Sequence, residues 1–297
     1  MSKSLKPVEP RVIADYACEC GENPLWHPDE RRLYWTDIPT GRLFRYDPAT
    51  GEHACFYEDR PVGGFTFQAD GSLLLFRDKG NVVVWRDGGV AATVIDELPD
   101  EVASRFNDVC ADPLGGVYCG TMPTPDRKGR LYHLHRDGSI GLLLEDIGCS
   151  NGMGYSPDLQ SFYYTDSTAK AIYTFDLHAD TAELSNQRVF VDTTDVHAGV
   201  PDGMTTSASG EVFSATWGAS AVVRYGLDGA EIERYTLPVP NITSLCFATL
   251  ADGRHTAYAT SAMGQKKDEL GPDAGATFEL PLGVAGGPEF RSRVGMG

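Results

Sequence analysis

The sequence predicts an all-β protein: a six-bladed β-propeller of four-stranded blades, its ring closed by an N-terminal strand. Three observations carry that expectation: a strand pattern that recurs at a near-constant period, Asp-Gly pairs that close the hairpins, and one strand left over near the start of the chain. The recurring strand is centred on Tyr34, Leu74, Tyr118, Tyr163, Phe213 and Tyr258, at intervals of 40, 44, 45, 50 and 45 residues. A period near 45 with several strands per unit is the pattern of radially repeated sheets. A β-sandwich also uses short strands, but it has no reason to repeat them at this interval.

Within each unit the order is constant. A polar loop leads into an inner strand. The aligned strand follows, as in Arg32 to Trp35 or Ser161 to Tyr164. A third strand comes about ten residues later, at Gly41 to Tyr46, Asn81 to Trp85, Arg130 to Leu134, Ala171 to Phe175, Ala221 to Tyr225 and Ala276 to Leu280. Asp70-Gly71, Asp87-Gly88, Asp137-Gly138, Asp228-Gly229 and Asp252-Gly253 supply the left-handed positions that tight hairpins require. The spare strand, Val12 to Cys18, is expected to pair as the outer strand of the last blade, which removes an exposed edge. Helical periodicity is nearly absent, and Glu97 to Arg105 is the best candidate for a short helix. The chain reads as one propeller domain over residues 1–297, with a short tail at about residues 1–9.

Composition narrows the function classes. The chain has 297 residues with 25 Lys and Arg against 42 Asp and Glu, a formal charge of −17, and it contains no basic stripe. Nucleic-acid binding depends on clustered cations that displace phosphate counterions, so no nucleic-acid partner is expected. The apolar runs are strand-length, well short of the ~20 residues of a membrane helix, and no membrane partner is expected. Met1 to Glu9 lacks the apolar stretch of a secretory signal, which points to the cytoplasm. The seven cysteines are scattered without CxxC spacing and read as buried thiols.

The polar residues that open the inner strands carry the chemistry. Gly21-Glu22-Asn23-Pro24, Arg105-Phe106-Asn107-Asp108, Ser150-Asn151-Gly152-Met153 and Pro201-Asp202-Gly203-Met204 occupy equivalent places in four repeats. Any one Asn-Gly or Asp-Gly alone is a turn residue. Acids and amides recurring at one level of a channel are instead a set of oxygen ligands suited to a hard or borderline divalent cation. Two other patterns carry less. Gly148 to Gly152 matches G-x-S-x-G, but that motif needs a helix after the serine, and here a strand follows. His133 and His135 share a strand face without a third ligand nearby and read as surface or packing residues.

These segments, together with Gly120-Thr121-Met122 and Tyr163-Tyr164-Thr165-Asp166-Ser167, resemble the senescence-marker-protein/gluconolactonase/regucalcin family over about Cys20 to Gly283. The resemblance implies a six-bladed propeller that opens a sugar lactone to the aldonic acid with one divalent cation, Ca, Zn, Mn, Fe or Mg. By the same resemblance Glu22, Asn151 and Asp202 hold the cation, while Arg105 and Asn107 contact the lactone. A metal can polarise the carbonyl and activate a water, and Asp202 is the expected base. Regucalcin-type members carry an acidic residue in the loop after Gly-Thr-Met. Here that loop reads Pro123 to Gly129, with Asp126 as the possible substitute, and Ala262 to Asp273 also departs from the family pattern. Two alternatives share the fold: a calcium-dependent phosphotriesterase and a non-catalytic calcium-binding or interaction propeller.

Overall fold

The computed structural model describes residues 8–195 and 199–296, so the expected tail lies mostly outside the described residues. Six four-stranded antiparallel sheets surround a channel. Their inner strands are Gly21–His27, Val62–Phe67, Phe106–Ala111, Ser150–Tyr155, Val200–Thr206 and Ile242–Thr249, which open blades 1 to 6 in that order. Blades 1 to 5 each use four consecutive strands. Blade 6 is composite: Ile242–Thr249, His255–Ser261 and Ala276–Leu280 are completed on the outside by Arg11–Asp15. Ring closure by the N-terminal strand is therefore as expected, with different bounds. The strand ends at Asp15 because Ala17 takes φ +49, after which Cys18 donates its N–H to Gly275 O and turns into the core.

Apolar side chains on the two faces of each sheet form six core clusters, one per blade interface. Tyr34, Leu43, Phe65 and Leu75 join blades 1 and 2; Phe76, Phe106, Val117 and Leu134 join blades 2 and 3. The last interface, between blades 6 and 1, is built from Ile13, Trp35, Phe44, Cys246 and Tyr258. Each fully buried Phe contributes about 1.5–3 kcal/mol by leaving water. Burial falls outward: Val62–Phe67 is buried throughout, whereas Gly89–Ile95 on the rim of the same blade is exposed or half-exposed.

Two smaller expectations are corrected and a third is met. The segment from Glu97 to Arg105 forms only a 3-10 turn, Pro99–Glu101, because Glu101 is buried as a partner for Arg127 and for Tyr132, whose hydroxyl lies 2.8 Å away. A four-residue helix appears instead at Lys267–Leu270. Cys55 is exposed, since it lies on the outer strand His53–Glu58, while Cys18, Cys119 and Cys246 are buried. His133 is a packing residue as read: it stacks on Tyr118 and holds Asp112 Oδ2 at 2.6 Å.

The C-terminal segment was not legible in the repeat. It crosses the channel at the ends of the inner strands. Gly287 N donates to Thr206 O of blade 5, and Ser292 N donates to Phe67 O of blade 2. Between this strap and the inner-strand openings lies a cavity of about 110 Å³, lined in part by Asp108, Cys110, Met153, Met204, Cys246 and Glu289.

Candidate functional site

Every inner strand breaks register with its neighbour near its start. The breaks fall at Glu22/Leu25, Val62/Gly64, Phe106/Val109, Ser150/Met153, Pro201/Met204 and Ile242/Ser244. A bulge leaves residues unpaired with the adjacent strand and redirects their side chains. Blade 1 places Asn23 there, with Glu22 at its edge as the last residue paired to Thr36, blade 3 Asn107 and Asp108, blade 4 Asn151, and blade 5 Asp202. Blades 2 and 6 place Gly63 and Thr243. The equivalence first seen in sequence is thus a shared backbone irregularity at one level of the channel.

Glycine lets these bulges meet. A Cβ on Gly152 would stand 2.5 Å from Met204 N and 2.7 Å from Asp202 O, so the inner strands of blades 4 and 5 approach closely only because the position is bare. Aspartates on the second strands fix the approach to two bulges. Asp37 Oδ1 accepts Cys20 N–H at 2.9 Å, and Asp166 Oδ1 accepts Cys149 N–H at 3.0 Å, in each case two residues before a site residue.

The amides form one chain of hydrogen bonds. Arg105 Nη1 donates to Asn107 Oδ1 at 2.7 Å, Asn107 Nδ2 to Asn151 Oδ1 at 2.7 Å, and Asn151 Nδ2 to Ser167 Oγ at 2.7 Å. The structure therefore brings Arg105, Asn107 and Asn151 into direct contact. The acids are linked through their fields. Burial, then the neighbouring charges of Asp108 and Asp202, hold Glu22 well above the ordinary carboxylate range. Burial and Asp108 do the same to Asp202. Asp108 is pushed up to about 7 by burial, with Arg105 pulling the other way.

Asp108 is a site residue the sequence reading quoted but did not single out. Its signal was its place in the same bulge as Asn107. It is 7% exposed and its Oδ1 has no hydrogen-bond partner. Asn23 and Ser167 were missed because their roles lie in contacts with residues distant in sequence: Asn23 with Phe65 of blade 2, and Ser167 with Asn151 on the neighbouring strand of its own blade. Asp126, the candidate acid of the substrate loop, is exposed, and its carboxylate has no hydrogen-bond or ion-pair partner among the described residues. Its loop is tied elsewhere, through Arg127 to Asp100 O at 2.9 Å.

The donor set fits a hard divalent cation. Three carboxyls, each at most 7% exposed, sit in one field, and buried charges of like sign require a counter-charge or a proton. Among the described residues no three of His, Cys, Asp and Glu converge closely enough to hold a metal by themselves, so the amide oxygen of Asn151 is a needed member of the set.

A propeller whose inner-strand bulges gather acids, amides and one arginine defines a class of channel-mouth sites, and the matching family model, described as SMP-30/gluconolactonase/LRE-like region, covers residues 20–263. The chain belongs to that family. It is 41% identical over 294 residues, 96% of this chain and 98% of the relative, to pentonolactonase XacC of Haloferax volcanii. It is 30% identical to human regucalcin, over 91% of this chain and 93% of that one. A crystal structure of regucalcin from Agrobacterium tumefaciens, described as a calcium-binding protein, superposes with a TM-score of 0.87 at 27% identity, covering 97% of this chain and 98% of that one.

Proposed function

We propose that the protein is a sugar lactonase that hydrolyses a five-carbon aldonolactone to its aldonate, using a divalent cation held by Glu22, Asn151 and Asp202. The observation that carries this reading is the hydrogen-bonded series Arg105–Asn107–Asn151 beside the buried acids Glu22, Asp108 and Asp202, whose fields act on one another, in a chain 41% identical to a pentonolactonase. The calcium-binding description of the regucalcin structure favours Ca²⁺ as the cation.

When bound, the cation supplies Lewis acidity to the lactone carbonyl and lowers the pKa of water. The chain's own residues do the rest. Arg105 spends one guanidinium nitrogen on Phe106 O and Asn107 Oδ1, which fixes the plane of the group and leaves its remaining N–H donors for ring and hydroxyl oxygens of the sugar. Asn107 is held by Asn151 and by Ser150 O, 2.7 Å away, so its orientation is set before substrate arrives. Asp202, as a carboxylate at the edge of the cation, accepts the proton of the attacking water. Water adds to the carbonyl carbon, the ring C–O bond breaks, the ring oxygen leaves as a hydroxyl, and the net product is aldonate plus one proton.

The test is a pH-drop assay over five- and six-carbon aldonolactones, an unsubstituted lactone of equal ring size and an organophosphate triester. A site built to hydrogen-bond hydroxyls rejects analogues that lack them. Equal efficiency on the unsubstituted lactone sinks the sugar-lactonase reading; preference for the triester supports the phosphotriesterase alternative.

A further inference from the structure

Glu22 differs from the other site residues in how it is held. Of the bulges that carry acids or amides, the one in blade 1 contains a left-handed residue, Asn23 at φ +47; Asn107, Asp108, Asn151 and Asp202 all have negative φ. Asn tolerates this region better than most side chains, and the following Pro24 disfavours the right-handed alternative. The left-handed turn aims Asn23 N–H at Glu22 Oε2, 3.0 Å away. Among the described residues this is the carboxylate's one hydrogen bond.

The Asn23 side chain does not join the ligand set. It is 7% exposed, and its Oδ1 accepts the backbone N–H of Phe65, in blade 2, at 2.5 Å. Gly64 leaves the room for that contact: a Cβ there would lie 3.3 Å from Asn23 Oδ1 and 2.8 Å from Val109 Cγ2. On the other flank, Thr243 Oγ1 of blade 6 donates to Gly21 O at 2.5 Å. The two blades without an acid or amide at their bulge are thus the two neighbours of blade 1, and both grip the segment that carries Glu22.

We propose that Asn23 is a positioning residue for Glu22, its left-handed backbone aiming the carboxylate and its side chain locking that turn onto blade 2, so that cation affinity is set partly at the blade 1–2 interface. The proposal rests on the reading of Glu22 as a cation ligand. Groups that orient a metal ligand typically change affinity by 10- to 100-fold when removed.

The experiment is calorimetric titration of Ca²⁺ into chelator-treated full-length protein. Wild type is compared with Glu22→Gln, Asn23→Gly, Asn23→Asp and Gly64→Ala, and each variant's melting temperature and lactone kinetics at saturating Ca²⁺ are measured. Asn23→Gly keeps the left-handed backbone but loses the anchor, so it should weaken Ca²⁺ binding about 10-fold or more while KM for the lactone stays unchanged. Asn23→Asp keeps both the acceptor and the tolerance of positive φ, and it should bind Ca²⁺ more tightly than Asn23→Gly. Gly64→Ala presses on Asn23 Oδ1 and, more closely, on Val109 Cγ2 and Asn107 O; it should weaken binding in the same direction, and it counts for the positioning role only together with the loss in Asn23→Gly. Wild-type affinity in both Asn23→Gly and Gly64→Ala, with only the melting temperature lowered, overturns the positioning role. Wild-type affinity in Glu22→Gln overturns the reading of the mouth itself, a separate failure.

Discussion

The two halves of the mouth are built on opposite principles. On the amide side the polar groups hold one another: Arg105 Nη1, Asn107, Asn151 and Ser167 form an unbroken series of 2.7 Å contacts. On the acid side Asp108 Oδ1 has no partner, and Glu22, Asp108 and Asp202 all carry raised proton affinities. Satisfied buried networks rigidify, whereas unsatisfied buried charge is costly. The amide side is therefore a preformed template for substrate, and the acid side stores a demand for positive charge.

The acid side should break hardest. Asp202→Ala removes a ligand and the proposed base together, and kcat/KM should fall about 10²- to 10⁴-fold with loss of bound cation, read by metal analysis alongside turnover. Normal turnover with full metal content would exclude Asp202 from the site. Next in size is the pH response of the chelator-treated protein. Asp108 moves from an ordinary 3.8 to about 7 in the fold, so between those values the native state holds more protons than the unfolded chain. Stability should fall as pH rises across that window, by on the order of 4 kcal/mol for this group. Urea unfolding at pH 5 and pH 8 reads the slope, and Asp108→Asn should flatten it; an unchanged slope would contradict the buried, unpaired state of this carboxyl.

The amide side should yield smaller and more selective losses. Arg105→Ala removes a charge-assisted hydrogen bond worth about 1.5–3 kcal/mol, and kcat/KM should drop roughly ten- to a hundredfold with cation content unchanged. The smallest effect is expected from Ser167→Ala, which frees the far end of the Asn151 amide. Cation affinity should weaken about tenfold, with recovery in Ser167→Thr. A fall in kcat/KM at saturating cation larger in Ser167→Ala than in Arg105→Ala would mean that the template is organised from its far end.

What could be read from the chain was whatever the repeat imposes. The third strands at Ala221 to Tyr225 and Ala276 to Leu280 have the expected bounds, as short, almost wholly buried, mostly apolar runs. The site residues could be placed at one level because a bulge recurs at the same point of each blade. Contacts between blades left no such trace. Asn23 looks like a turn residue until Phe65 of blade 2 is seen beside it, and Thr243 of blade 6 is a buried clamp on Gly21; Ser167, a loop serine in sequence, meets Asn151 inside its own blade. The strap near Ser292 follows the end of the last blade strand and carries no period, so strand patterning is silent about it.

The composite sixth blade makes the ring a hoop with a single clasp. Its outer strand pairs Arg11 with Glu279 and Asp15 with Ala276, and ion pairs pin both ends of the overlap, Arg11 to Glu279 and Lys267 to Asp15. While that overlap holds, the outer edge of Ala276–Leu280 is covered and offers no template to another strand. Because the pins are partly exposed charges, added salt weakens them. The fraying of this one edge is thereby tied to ionic strength through five residues that lie on the far side of blade 6 from the channel.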